Sequence, residues 1–365
     1  MKKLSPCIFL FFVLCVSCHT SSEDAGNPDS ASLPQAEHTF PMVRSLAFGS
    51  CGHETDPQPI LAQAAAGDPD LFVFLGDNIY GDTKVMDTLQ AKYARLGAKA
   101  EFQQLWETSQ VLATWDDHDF GWNDAGRQYE FKEASKEIFL DFWQVDSTDI
   151  RHTRPGIYTS YMFGAGDKSL QLILLDNRTF RDQLRRYDGE AVDTTAFHYP
   201  IDYWPYDTPD STLLGDAQWT WLEEQLRVPA TLRIIATSTQ FGITWNGYEA
   251  WANLPHERQR FLDLIKKTQA NGVMFISGDV HYAEVSRLEE EGLYPLYDIT
   301  SSGITSTWHF ATPNDNRVEG PVMENHYGRI DINWEAEDPE ILVRVTDVEE
   351  NERIRRTIKL SEITQ

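Results

Sequence analysis

Residues Leu71–Thr83 read LFVFLGDNIYGDT. Five apolar residues run without a break into Gly76, and Asp77 follows at once. A run this short, closed by glycine, predicts a buried strand ending in a turn. The first side chain past such a strand stands at its C-terminal end, where open α/β sheets put their ligands. Asp77 is then a carboxylate on a rigid mount, and Tyr80 is near enough for one turn to aim both oxygens at one point. Alone, the stretch is better explained by an Asp that caps a turn. Three further strand ends deliver the same kind of group. Cys51 follows Ser45–Ser50, Asp116–Asp117–His118–Asp119 follows Val111–Trp115, and Asp279 with His281 follows Val273–Ile276.

Outward from these turns, strands are predicted at Gly156–Phe163, Ser169–Leu175 and Leu232–Thr237. Helices are predicted at Pro57–Ala66, Val85–Gln110, Phe131–Trp143, Gly215–Leu226 and Pro255–Lys267. From Ala283 the pattern turns to β, with Ala283–Leu288, Tyr294–Thr300, Gly328–Trp334, Glu340–Thr346 and Arg353–Leu360. Alternating strands and helices followed by a strand-rich end imply two packed sheets with helices outside, in one domain. Asp182–Thr212 carries three prolines and the patch YWPY at Tyr203–Tyr206. It is expected to run over the sheet edge, to serve the site or to cover it.

The chain has 365 residues, of which 41% are hydrophobic and 12% aromatic, so it can bury a large core. Its formal net charge of −26 argues against a nucleic-acid binder, which needs a basic face. An anionic substrate stays admissible, because bound cations reverse the local field. At the N-terminus, Lys2 and Lys3 precede an apolar run, Cys7–Val16, too short to span a bilayer. This reads as a secretory signal over residues 1–17, of lipoprotein type, with Cys18 as the lipidated first residue. Residue Cys15 stands where such signals usually have Leu, and ordinary cleavage nearby is the alternative. Residues 18–43 then form a flexible tether. The product is expected outside the cytoplasm, in a bacterial cell envelope, anchored only by its N-terminal lipid and monomeric. Of the 4 cysteines, only Cys51 is then left in the folded part, so no intramolecular disulfide is available. Its use as a thiolate metal ligand is set against a small buried core residue.

The four clusters together supply a thiolate, a phenolate, imidazoles and several carboxylates. Cys and His suit a transition metal, while an all-oxygen subset suits Ca²⁺ or Mg²⁺. Two such ions can activate water and neutralise phosphoryl oxygens. No GxSxG, P-loop or GxGxxG stretch is present, so serine-hydrolase and nucleotide-fold chemistry lack their parts.

The series FGSC (Phe48–Cys51), GDNIY (Gly76–Tyr80), TWDDHDFGWND (Thr114–Asp124), LLDNRTFR (Leu174–Arg181), LLGDAQWTWLEEQL (Leu213–Leu226) and SGDVH (Ser277–His281) resembles the motifs of the alkaline phosphatase D (PhoD-like) family. That family belongs to the calcineurin-like metallophosphoesterases, and the resemblance covers residues 44–365. It implies a four-layer αββα sandwich of two mixed sheets and a binuclear centre that hydrolyses phosphomonoesters or phosphodiesters. It implies Fe³⁺ on Cys51, Asp77, Tyr80 and His281, and Ca²⁺ on Asp77, Asp117 and Asp279. His118 would serve the leaving oxygen, with Asn123 near the calcium. Many members carry an extra N-terminal β domain, and the first motif begins too early here for one. Arg178 and Arg181 offer a guanidinium fork for phosphate, or a structural pair with Asp176. Against the enzyme stands a surface lipoprotein that binds Ca²⁺ or a phosphorylated glycan without turnover.

Overall fold

A computed structural model describes residues 38–189 and 199–365. The expected signal, Cys18 and nearly all of the tether lie outside the described residues. Within the stretch expected to be a tether, His38–Phe40 is a strand (β1). Among the described residues no helix is long and apolar enough to cross a membrane.

The other strands are β2 (Ser45–Gly49), β3 (Leu71–Leu75), β4 (Gln110–Thr114), β5 (Thr159–Ala165), β6 (Lys168–Leu174), β7 (Leu232–Thr237) and β8 (Val273–Ser277). They continue with β9 (Ala283–Leu288), β10 (Leu296–Ser301), β11 (Arg317–Val322), β12 (His326–Asn333), β13 (Glu340–Asp347) and β14 (Glu352–Lys359). Two mixed sheets result. One has the order β1-β5-β6-β7-β8-β10-β9-β11, the other β14-β13-β12-β2-β3-β4. Within them β2, β3 and β4 run parallel, as do β6, β7, β8 and β10.

Alternation along β3 assigns the layers. Leu71, Val73 and Leu75 join the core between the sheets. Phe72 and Phe74 face the other way, into a second core with Leu61 of α1 (Pro59–Ala66), Tyr93 of α2 (Met86–Gly97) and Phe102 of α3 (Ala100–Thr108). A short helix, α4 (Asp117–Phe120), and α5 (Lys132–Phe142) complete that side. On the far side, α6 (Gly215–Leu226) and α7 (Pro255–Thr268) cover the eight-stranded sheet. There Phe261 of α7 meets Phe275 of β8, ring centroids 5.3 Å apart. The architecture is the expected αββα sandwich. Because β2 and β3 are apolar on both faces, neither face can turn to water, and their polar groups are confined to the ends.

The predicted helix Val85–Gln110 is two helices. Lys99 adopts an extended conformation (φ −73°, ψ 134°) and interrupts the hydrogen-bond ladder, and Gln110 already belongs to β4. Two edge strands, β1 and β11, carry no apolar alternation and had no counterpart in the sequence reading.

Candidate metal centre

Parallel order sends β2, β3 and β4 to one edge of their sheet, and β6, β7, β8 and β10 to one edge of theirs. These edges meet. Thr114 at the end of β4 donates its hydroxyl to the Leu175 carbonyl past β6, 2.7 Å away. Trp115 donates Nε1 to Asp176 at 2.9 Å, and Ile304 N donates to the Ser50 carbonyl at 3.1 Å.

At that junction Cys51 Sγ lies 3.4 Å from Asp77 Oδ2 and 3.1 Å from Ser302 Oγ. Tyr80 Oη is 3.5 Å from His281 Nε2. Ligand atoms of Cys51, Asp77 and His281 lie within 4.8 Å of one another, as do those of Asp77, Asp117 and His118, and those of Asp116, Asp117 and Asp279. All six ligands expected from the resemblance, and His118, therefore converge. Cys51, Asp77 and Asp117 are buried; Tyr80, His118, Asp279 and His281 are half-buried and mark the open side. The backbone is bent to present them: φ is +59° at Cys51, +49° at Asp77, +75° at Asp279 and +55° at His281. L-residues rarely hold this left-handed region, and where they do it is usually a site that requires it.

The DDHD turn owes its shape to Asp119. Its carboxylate accepts Asp116 N at 3.1 Å, Asn78 N at 3.1 Å and the Tyr93 hydroxyl at 2.9 Å, tying this turn to the GDNIY turn. Asp117 accepts Asp124 N at 2.5 Å through Oδ2. Burial works against charge on Asp117, yet Arg178 and His118 outweigh it and bring its pKa to about 2. Burial, then the neighbouring acids, holds Asp77 and Asp279 well above the ordinary carboxylate value and pushes Cys51 up to about 12. His118 is partly desolvated, but its Nδ1 lies 2.7 Å from Asp82 Oδ1, and with Asp117 this raises it to about 9.

Arg178 corrects the reading of a phosphate fork. Its side chain is 0% exposed. Nε donates to Asp116 at 2.5 Å and Nη1 to both oxygens of Glu249 at 2.9 Å, so no fork faces the cleft. The expected partner Asp176 instead accepts the backbone N–H groups of Ile157, Arg178 and Thr179. Asn123 is exposed and donates to Asp124 Oδ2 at 2.8 Å. Glu54, Asp82, Ser238, Glu249 and Ser302 had not been singled out. Glu54, buried, accepts Tyr80 N at 3.1 Å and lies 3.4 Å from Lys92 Nζ. Of these only Asp82 had a signal, an acid in the same Gly-rich turn as Tyr80. Part of the excursion over the edge does reach the site: the Tyr203 hydroxyl donates to Asp124 Oδ2.

The side chains fit metal ions. Asp77 Oδ1, Asp116 Oδ2 and Asp117 Oδ1 are buried without any hydrogen-bond partner. A buried carboxylate oxygen left this way costs several kcal/mol. Three at one junction, beside a thiol and an imidazole, are what a cluster of cations would satisfy.

Known proteins resemble this chain in sequence and in fold. The profile of PhoD-like phosphatases matches residues 46–316. Alkaline phosphatase D of Bacillus subtilis is 24% identical over 313 residues, covering 74% of this chain and 50% of the relative. The chain thus spans about half the length of that curated relative. Among solved structures, PhoD superposes with a TM-score of 0.65 at 20% identity, covering 90% of this chain and 70% of that one. GAP50, the anchor in the inner membrane complex of Plasmodium, gives 0.53 at 15% identity (89% and 90% covered). A dimetal phosphatase from Danio rerio gives 0.51 at 14% identity (87% and 99% covered).

Proposed function

Because the chain belongs to the PhoD-like phosphatase family, we propose that it is an exported, metal-dependent phosphoric ester hydrolase acting on phosphomonoesters or phosphodiesters. In this reading Cys51, Asp77, Tyr80 and His281 hold Fe³⁺, and Asp77, Asp117 and Asp279 hold Ca²⁺. Bound cations would neutralise phosphoryl oxygens and make water acidic enough to attack at neutral pH. The chain's own groups do the rest. His118, tethered through Nδ1 to Asp82, stands beside the ligand carboxylates and can hand a proton to the departing alkoxide. The Tyr80 ring is wedged between His53 and His118, centroids 5.0 and 4.4 Å away, which fixes both Tyr80 and His118. Arg178 is a positioning residue that clamps Asp116 next to Asp117.

The carrying observation is that two of the proposed ligands, Asp77 and Asp117, each hold a buried carboxylate oxygen without a hydrogen-bond partner, with Asp116 Oδ2 in the same state beside them. The fold alone does not decide, since an anchor protein shares it. The test is metal analysis of the purified protein with hydrolysis of p-nitrophenyl phosphate and bis(p-nitrophenyl) phosphate. Metal in the protein and hydrolysis of either ester support the reading. Metal without hydrolysis would favour the surface lipoprotein that binds and does not turn over. In His118→Ala, metal content should persist while the rate on an ester with a poor leaving group falls roughly 10²–10⁴-fold. A fall in metal content would make His118 a ligand. Anchoring at Cys18 is part of the same reading: Cys18→Ser should move the protein from the membrane to the soluble fraction with its specific activity intact.

A further inference from the structure

Beyond His281 a chain of aromatic contacts continues through half-buried rings. His281 stacks on Trp308 with centroids 5.2 Å apart and planes 15° from parallel. Trp308 stacks on Phe310 (5.2 Å, 11°), Phe310 on Tyr199 (5.2 Å, 25°), and Tyr199 on Tyr248 (4.8 Å, 14°). Tyr248 closes the circuit back to Trp308 at 5.2 Å. Trp308 has an evident structural task, for it backs the ring of a candidate ligand and donates its backbone N–H to the His281 carbonyl at 2.9 Å. Phe310, Tyr248 and Tyr199 support no ligand. All four rings are only half-buried, whereas the large rings of the two main cores, such as Phe72 and Trp251, are fully covered. The wall is firmly held, since the Tyr199 hydroxyl donates to the Asn246 carbonyl at 2.7 Å and Asn246 Nδ2 to Thr312 at 3.0 Å.

We propose that this wall is the subsite for the organic part of the ester, and that it selects alcohols carrying a planar ring, as in aryl and nucleoside esters. The proposal rests on the phosphoesterase reading and names its substrate class. Its physical basis is the half-buried state of the rings: neighbours take much of each face, and the open edges and overhanging parts of the faces offer an offset or edge-to-face surface to another planar ring. A phosphoryl group at the centre would bring its ester oxygen to the Trp308 end of the wall, because Trp308 lies against His281. Small aliphatic alcohols would leave the wall wet.

Two measurements on the metal-loaded protein test this. Calorimetry should show phenylphosphonate, which is not hydrolysed, binding roughly 5- to 150-fold tighter than methylphosphonate, the span of one ring stacked on an aromatic side chain. Steady-state kinetics should give a matching preference in kcat/KM for phenyl over methyl phosphodiesters after correction for leaving-group acidity. Both Phe310→Ala, away from the ligands, and Trp308→Leu should reduce the preference roughly tenfold. Equal binding of the two phosphonates, or a preference unmoved in both variants, overturns the subsite even if hydrolysis is brisk. Selective binding of phenylphosphonate without hydrolysis of any ester sustains the subsite and overturns the phosphoesterase reading instead.

Discussion

At the scale of single residues, burial decides who touches substrate. A guanidinium fork for phosphate and a structural pair look alike in LLDNRTFR. The difference lies in Asp116 and Glu249, which are 62 and 71 positions away from Arg178. Arg178→Met keeps the volume and leaves two buried carboxylates without their cation. It should lower unfolding stability by about 3–5 kcal/mol, read from the denaturant midpoint. Unchanged stability with a raised KM would restore the fork. His326 gives a second test. It is buried, its Nε2 accepts Ser302 N at 3.1 Å, and its Nδ1 bonds the Glu324 carbonyl at 2.7 Å. Desolvation brings its pKa down to about 4. The unfolded chain therefore binds this proton first as pH falls from about 6.5 to 4. The stability that neutral His326 contributes is complete above 6.5 and lost as pH falls through that window, by about 3 kcal/mol. Imidazole NMR should show His326 still neutral at pH 5, and a titration midpoint near 6.5 would refute the claim.

At the scale of elements, the turn after β3 depends on Gly76. Its φ is +103°, and a Cβ there would sit 2.4 Å from Asp116 Cβ and 2.7 Å from Asp116 N. Gly76→Ala should cost about 2 kcal/mol or more and reduce bound metal, because the intruding methyl pushes the DDHD turn away from Asp77. Gly292→Ala is the control: its φ is also positive, at +78°, but nothing lies within 4 Å. It should lose stability and keep its metal, and equal metal loss in both would point to a general effect of strain. These strand-end turns were legible in the sequence because a buried apolar run has to stop, and the residue that stops it is plain. Edge strands were not. The stretch β11, RVEGPV, contains Gly and Pro and has register shifts against β9, so it carries no pattern to read. Helix ends suffered similarly at Lys99, where an ordinary residue turns extended. The groups around the ligands, Glu54, Ser238, Glu249 and Ser302, come from loops whose positions only the packed sheets define. Trp308 and Phe310 read as any other aromatic residues until their neighbours were in place.

At the scale of the molecule, the centre joins two sheets, so cations bound there would hold the halves together. Binding to the folded state alone stabilises by roughly 3 kcal/mol at a hundred times the dissociation constant. Exhaustive chelation should lower the melting temperature by several degrees and return of metal should restore it; a melting curve indifferent to chelator would place no tight cation at the junction. The same junction has a consequence in time. Cys51 and Ser302 stand 251 positions apart, and Tyr80 and His281 stand 201 apart. When Cys51, Asp77 and Tyr80 emerge during synthesis, the other proposed ligands, Asp279 and His281, are not yet made. A short helix-loop metal site can be filled while a chain is still growing; the proposed one would be complete only once the ends of β8 and β10 meet those of β2 and β3. Metal loading would then be an event of the completed fold. A chain that crosses a membrane unfolded would collect its ions on the far side, from whatever that compartment supplies.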